Sequence, residues 1–160
     1  MNKYWLIVLA LLLPVPCVHA EPVDELLSAA RTGDLDKIET LLASGLDVNS
    51  ANKFGKTALM AAAHFGNRTV TRVLVSAGAD VNVKDKTGSV ALIDAVHSGS
   101  DHLVRDLIAY GADVNIKTAA GITPLSTADQ YGNVSLIALL QGAGAQGEVK
   151  TKSKGKKKKK

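Results

Sequence analysis

Gly78-Ala79-Asp80-Val81-Asn82 is one of three copies of a Gly-x-Asp-Val-Asn stretch set at one spacing. The stretch stands 33 residues earlier as Gly45-Leu46-Asp47-Val48-Asn49 and 33 residues later as Gly111-Ala112-Asp113-Val114-Asn115. Gly144 continues the series once more. Two further glycine ladders share the period: Gly33, Gly66, Gly99 and Gly132, then Gly55, Gly88 and Gly121. One step common to three ladders is the mark of a repeat architecture, in which each unit needs its neighbours to bury a core. Such a stack presents a long surface rather than a chemical pocket.

Between the glycines the apolar residues take a helical period. Ile38, Leu41 and Leu42, and again Val104, Leu107 and Ile108, recur at i, i+3 and i+4. Each such helix is followed by a glycine of the Gly45 series, which tolerates the left-handed turn that closes a helix. A shorter, alanine-rich helix precedes each one, over 26–31, 58–64, 91–97 and 124–131. Pro124 suits a first helical turn, where its missing N–H has no partner to lose. The Gly55 series falls in the turn before the short helix, where a positive φ is expected. Asn49, Asn82 and Asn115 read as turn formers that bond their own backbone.

The segment after Gly55 is Thr57-Ala58-Leu59-Met60-Ala61-Ala62, and after Gly121 it is Thr123-Pro124-Leu125-Ser126-Thr127-Ala128. With the ladders, these residues resemble the ankyrin repeat family, whose unit is a β-turn followed by two helices with a T-P-L-H-x-A signature. The resemblance covers about 23–146. It implies an all-α repeat solenoid of about four helix-turn-helix units joined by β-turn loops, at about 23–50, 51–84, 85–117 and 118–146. The signature histidine is replaced by Met60, Ile93 and Ser126, and Val90 stands for the threonine of the third unit, where Asp94 also enters the motif. In the family these side chains fix the loop, so looser loops are expected here. Gln141 stands where other units have Leu42, Val75 and Ile108, so unit four reads as a polar cap.

Outside the repeat domain, 21–146, lie two segments of different character. Met1–Lys3 carries one positive side chain, Tyr4–Leu13 is an apolar run, and Val18-His19-Ala20 ends in small-residue cleavage chemistry. This reads as a secretory signal peptide over 1–20, cut after Ala20 and directing the chain to the periplasm or to full secretion. The run is too short for a spanning helix, which needs ~20 apolar residues. The single cysteine, Cys17, would leave with it, so the mature chain would have neither disulfide nor thiol chemistry. At the other end 147–160 reads as a disordered tail, with Lys150, Lys152, Lys154, Lys156, Lys157, Lys158, Lys159 and Lys160 as its charges. Apart from these eight and Lys3, ten basic residues face fifteen acidic ones, so the repeat body carries about −5. The tail is a candidate contact for anionic lipid, lipopolysaccharide or nucleic acid. It lacks aromatic residues for base stacking and arginine for bidentate phosphate recognition.

The resemblance implies that a partner protein is bound through turn tips and the exposed face of the short helices. Carried over by position, the tips are Lys53, Phe54 and Lys56, then Lys86, Thr87 and Ser89, then Ala119, Ala120 and Ile122. The helix positions are Arg31 and Thr32, His64 and Phe65, His97 and Ser98, and Gln130 and Tyr131. Phe54, Phe65 and Tyr131 stand out in a chain with two Phe and three Tyr, because aromatic anchors dominate interfaces. His64 and His97 occupy equivalent positions, but stacking is expected to hold equivalents roughly 10 Å apart, while a metal needs its ligands ~2 Å away. No metal, cofactor or catalytic group is expected, since no nucleophile elbow, paired glutamate or phosphate loop surrounds Ser126 or Asp129. The expected molecule is a monomeric, non-catalytic binding module.

Overall fold

A computed structural model describes residues 21–148. The signal-peptide reading of 1–20 and the lysines at 150–160 lie outside the described residues. Within them are eight helices in four pairs: α1 (Pro22–Thr32) and α2 (Leu35–Ala43), α3 (Ala58–His64) and α4 (Arg68–Ser76), α5 (Ala91–Ser98) and α6 (Asp101–Ala109), α7 (Pro124–Gln130) and α8 (Val134–Gly142). The first helices form a continuous row, α1 on α3, α3 on α5, and α5 on α7. Ala58, Ala62 and Ala63 are fully buried in that row, where a small side chain lets backbones approach.

Local chemistry fixes each start and stop. Asp34, Ser100 and Asn133 cap α2, α6 and α8 by accepting from the backbone N–H of Lys37, Leu103 and Leu136. Thr57 caps α3, and Thr123 and Ser126 cap α7 reciprocally. Pro22 opens α1, with Asp24 and Glu25 in its first turn, where carboxylates suit the helix dipole. Asn67, which precedes α4, makes no cap bond. Its amide instead donates to the carbonyls of Ala30 and Arg31 at 2.8 and 2.7 Å, satisfying the end of α1 from the next unit.

A single apolar core runs through all four pairs, with Leu26, Ile38, Leu59, Leu74, Leu92, Leu107, Leu125 and Leu140 fully or almost fully buried. Thr71 lies in it at 0 % exposure and its hydroxyl has no hydrogen-bond partner. Its equivalents in the other units are Ile38, Val104 and Ile137, all apolar. Gln141 and Ala138 of α8 are exposed at the far end of the stack.

The loops correct two expectations. The turn formers of the repeated Asp-Val-Asn are the aspartates: Asp47, Asp80 and Asp113 accept from the backbone N–H of Asn49, Asn82 and Asn115 at 2.9, 2.8 and 2.8 Å. The asparagines reach across to the next unit instead. Asn49 donates to the Gly78 carbonyl and accepts from Asp80 N–H, Asn82 does so with Gly111 and Asp113, and Asn115 with Gly144 and Gln146. This side-chain ladder stitches unit to unit along one edge.

The turn before each short helix is also well tied, although the signature threonine and histidine are incomplete. A polar side chain at three equivalent positions gathers the loop. Asn52 accepts from Phe54 and Lys56 N–H, Asp85 from Thr87 and Ser89 N–H, and Thr118 from Ile122 N–H. Successive tips are joined by Lys86 N–H to the Phe54 carbonyl at 3.1 Å and Ala119 N–H to the Thr87 carbonyl at 2.9 Å. Gly55 has φ +78°, and a Cβ there would lie 3.0 Å from the Lys86 nitrogen, so both conformation and this contact require glycine.

Candidate functional site

The short helices end on one side of the stack, and their last turns carry Arg31, His64 and His97. Cationic or protonatable groups suit a helix C-terminus, whose carbonyls are unsatisfied and carry partial negative charge. Gly33, Gly66 and Gly99 then reverse the chain with positive φ, so each terminal side chain stays at the surface.

These residues are not isolated. The Arg31 guanidinium lies 5.1 Å from the centre of the Phe65 ring, linking unit one to unit two. Phe65 meets His64 edge to face at 5.2 Å. His64 and His97 have ring centres 6.3 Å apart, closer than the roughly 10 Å expected of stacked equivalents. His97 meets Tyr131 at 5.5 Å, and its Nδ1 lies 2.9 Å from the Tyr131 hydroxyl. A ridge of rings thus crosses units two to four, and the Arg31 guanidinium extends it to unit one. Phe65 remains 52 % exposed and Tyr131 60 %, so the contacts position the rings without covering them. Gln130 is exposed on α7 beside Tyr131.

The tips form a second row. Phe54 is 60 % exposed, with the Lys53 ammonium 5.1 Å from its ring centre. Ile122 is exposed at the last described tip. Between tips two and three lies a groove of about 500 Å³, with Ile93 among its lining and Lys86, Thr87, Ile122 and His97 around it. A smaller cavity of about 270 Å³, mostly apolar, lies between Leu27, Met60 and Phe65, with Arg31, Lys56, His64 and Asp94 around it.

Two of the expected contact residues are built into the protein. Ser89 is buried, and its backbone N–H donates to Asp85 at 2.8 Å, so it shapes the loop rather than facing outward. Lys56 is partly buried between Asp85 and Asp94, at 3.1 and 3.0 Å. Burial is the largest influence on its ammonium and by itself would lower the pKa; the charges and hydrogen bonds of Asp94 and Asp85 outweigh it and hold the pKa above the ordinary lysine value. Burial likewise acts to raise the pKa of Asp85, but donors from Thr87, Ser89 and Lys56 prevail and hold it below the usual carboxylate range. Asp94 also lies 3.6 Å from His64 Nδ1, so the residue that departs from the signature neutralises Lys56 and backs the ridge. Thr87 splits its role: it is exposed, yet its hydroxyl donates to Asp85 at 2.7 Å.

Asp85 and Asn52 are supporting residues that motif reading passes over. A signal was present in their register: Asn52, Asp85 and Thr118 are equivalent and all carry a side-chain oxygen. Among the described residues no group of three or more His, Cys, Asp or Glu side chains is placed to hold a metal ion. What the site offers is ring faces, cations and shallow grooves on a rigid frame.

The sequence family described as ankyrin repeats, in three copies, matches residues 26–118. Over 38 residues the chain is 53% identical to the ankyrin repeat protein YahD of Escherichia coli (strain K12), a stretch covering 24% of this chain and 18% of that protein. The match thus spans less than a fifth of the length of this curated relative.

Proposed function

Because this chain belongs to the ankyrin repeat family, whose repeats form protein–protein interaction modules, we propose that it is a non-catalytic binding protein that engages one partner through its ring ridge and turn tips. The observation that carries this reading is the unbroken string Arg31, Phe65, His64, His97 and Tyr131, exposed across four units. Exposed aromatic side chains held by neighbours enter an interface with little further loss of freedom, which favours affinity.

The amino-terminal segment supports export to the periplasm, and an inhibitor or protector of an envelope enzyme is a role that a binding module of this size can fill there. Affinity capture tests the reading. The chain and its Phe54→Ala, Phe65→Ala, Tyr131→Ala triple variant are immobilised and exposed to envelope extract from the source cells. A stoichiometric protein retained by the first and lost from the second supports the proposal. Equal retention by both places the contact elsewhere.

The lysine run favours a second reading, attachment to anionic lipid or nucleic acid. Replacing its eight lysines with glutamine abolishes binding to anionic vesicles if that reading holds, and leaves it unchanged if it does not.

A further inference from the structure

The outer face of α8 is unlike that of the other outer helices. Val134, Ser135, Ala138, Gln141 and Gly142 are exposed on it, and none of them is charged. The equivalent positions carry Asp36 and Glu39 on α2, Arg68 and Arg72 on α4, and Asp101 and Arg105 on α6. Val134 is 70 % exposed, the most of any large apolar side chain among the described residues. Beside α8 a groove of about 630 Å³ runs against α6, lined in part by Ile108, Ala109, Leu139 and Ala143, with Arg105 as the one charged residue of its lining. The last unit of a solenoid ordinarily turns a polar face to water. Here that unit carries the one outer helix whose exposed face has no charge.

We infer that α8 docks on α8 of a second copy, antiparallel and about a two-fold axis at Ala138. The order of side chains selects this occupant. Ala138 is the midpoint of α8. An antiparallel pairing about it sets Val134 of each copy on Gly142 of the other, and Ser135 on Gln141. The first pair places a large apolar side chain where a Cβ would meet nothing within 4 Å. The second is polar on polar: the Ser135 hydroxyl donates to Asp101, so its oxygen is left to accept from the Gln141 amide. Small residues at 138 and 142 let the helices approach closely, and their antiparallel dipoles attract. Head-to-tail stacking on unit one fits less well. There α2 presents Asp36, Lys37 and Glu39, whose charges would lose water against an uncharged face without gaining a partner. The lysines from Lys150 onward follow unit four, so two copies bring like charges together; this opposes the contact and is screened by salt. One helix pair of about 13 Å with its groove buries less than the ~1,200 Å² of a stable interface, so the expected monomer becomes a weak dimer. The contact lies on the outer helices and the ridge on the short ones, so the two readings are independent.

The test uses the full chain carrying Cys17→Ser, so that an introduced cysteine stands alone. Self-association is followed by sedimentation velocity up to millimolar concentration. The parent is expected to dimerise reversibly, more tightly in high salt, and more tightly again with the eight tail lysines replaced by glutamine. A138R restores the arginine that α4 and α6 carry at this position and is expected to weaken the dimer about tenfold or more. Circular dichroism checks that it remains folded, and A138Q replaces it if it does not. Mild oxidation reads the register. A138C is expected to link to itself about tenfold faster than T40C, an exposed position on α2. V134C is expected to link to G142C of another copy and not to itself. No association at millimolar concentration, association that A138R leaves intact, or T40C linking as fast as A138C overturns the inference. Faster linkage of A138C to E39C of another copy than to itself overturns it in favour of head-to-tail stacking. Loss of the dimer in Phe54→Ala, Phe65→Ala overturns it as well, by moving self-association to the ridge; the other outcomes leave the ridge untouched.

Discussion

Asn82 sits at the middle seam of the stack, and its replacement tests whether these asparagines hold units together. Its Nδ2 donates to the Gly111 carbonyl at 3.0 Å and its Oδ1 accepts from Asp113 N–H at 2.9 Å. Both bonds are exposed, so water replaces part of what is lost, and each contributes about 0.5–1 kcal/mol. Asn82→Ala is therefore expected to cost about 1–2 kcal/mol of folding free energy. Asn82→Asp separates the two possible roles. Aspartate shapes its own turn as well as asparagine does, but it has no N–H for Gly111 and sets a carboxylate against that carbonyl. A cross-unit bridge predicts that Asp is at least as damaging as Ala; a local turn former predicts no loss. Urea unfolding followed by circular dichroism reads both variants. Stability of Asn82→Asp within ~0.3 kcal/mol of the parent, near the limit of such comparisons, would refute the bridging role.

Thr71→Val is expected to stabilise the protein by about 1 kcal/mol, since it removes an unsatisfied buried hydroxyl at almost constant shape; the urea midpoint should rise, and a fall would mean the hydroxyl is bonded in solution. Lys56→Met strands the buried Asp85 and Asp94 without their cation. Removing one partner of a buried pair costs about 3–5 kcal/mol, which the partial exposure of Lys56 reduces to about 2 kcal/mol; an unchanged melting temperature would contradict the burial of the pair. The depressed pKa of Asp85 has a definite sign. Its folded carboxyl binds protons less readily than the unfolded one, so its contribution is full above the unfolded value of ~3.9 and is lost as pH falls through the lower folded value. Stability measured from pH 5 to pH 2 should therefore fall less steeply in Asp85→Asn than in the parent, and identical slopes would remove Asp85 as a cause.

Much of the fold was legible because it is set by backbone requirements. Gly33, Gly45, Gly55 and their equivalents are positive-φ residues, and their shared period carries the repeat. The asparagine bridge was not legible. Asp and Asn both favour turns, and only the distance between stacked loops assigns the turn to one and the bridge to the other. Likewise, helix spacing places His64 and His97 in register but does not fix the distance between their rings, which is 6.3 Å. Ser89 reads as a tip residue by position, but its burial comes from loop closure onto Asp85, a contact four residues back with no motif of its own. Thr71 is polar by residue type, and its register with Ile38, Val104 and Ile137 is the cue to its burial.

Site-directed photo-crosslinking tests the ridge most directly. A benzophenone amino acid is placed at position 65, on the ridge, or at position 39, on α2, and the cells are irradiated before extraction. A ridge that binds a partner yields a discrete crosslinked protein from position 65 and none from position 39. The same species from position 39 alone would contradict it.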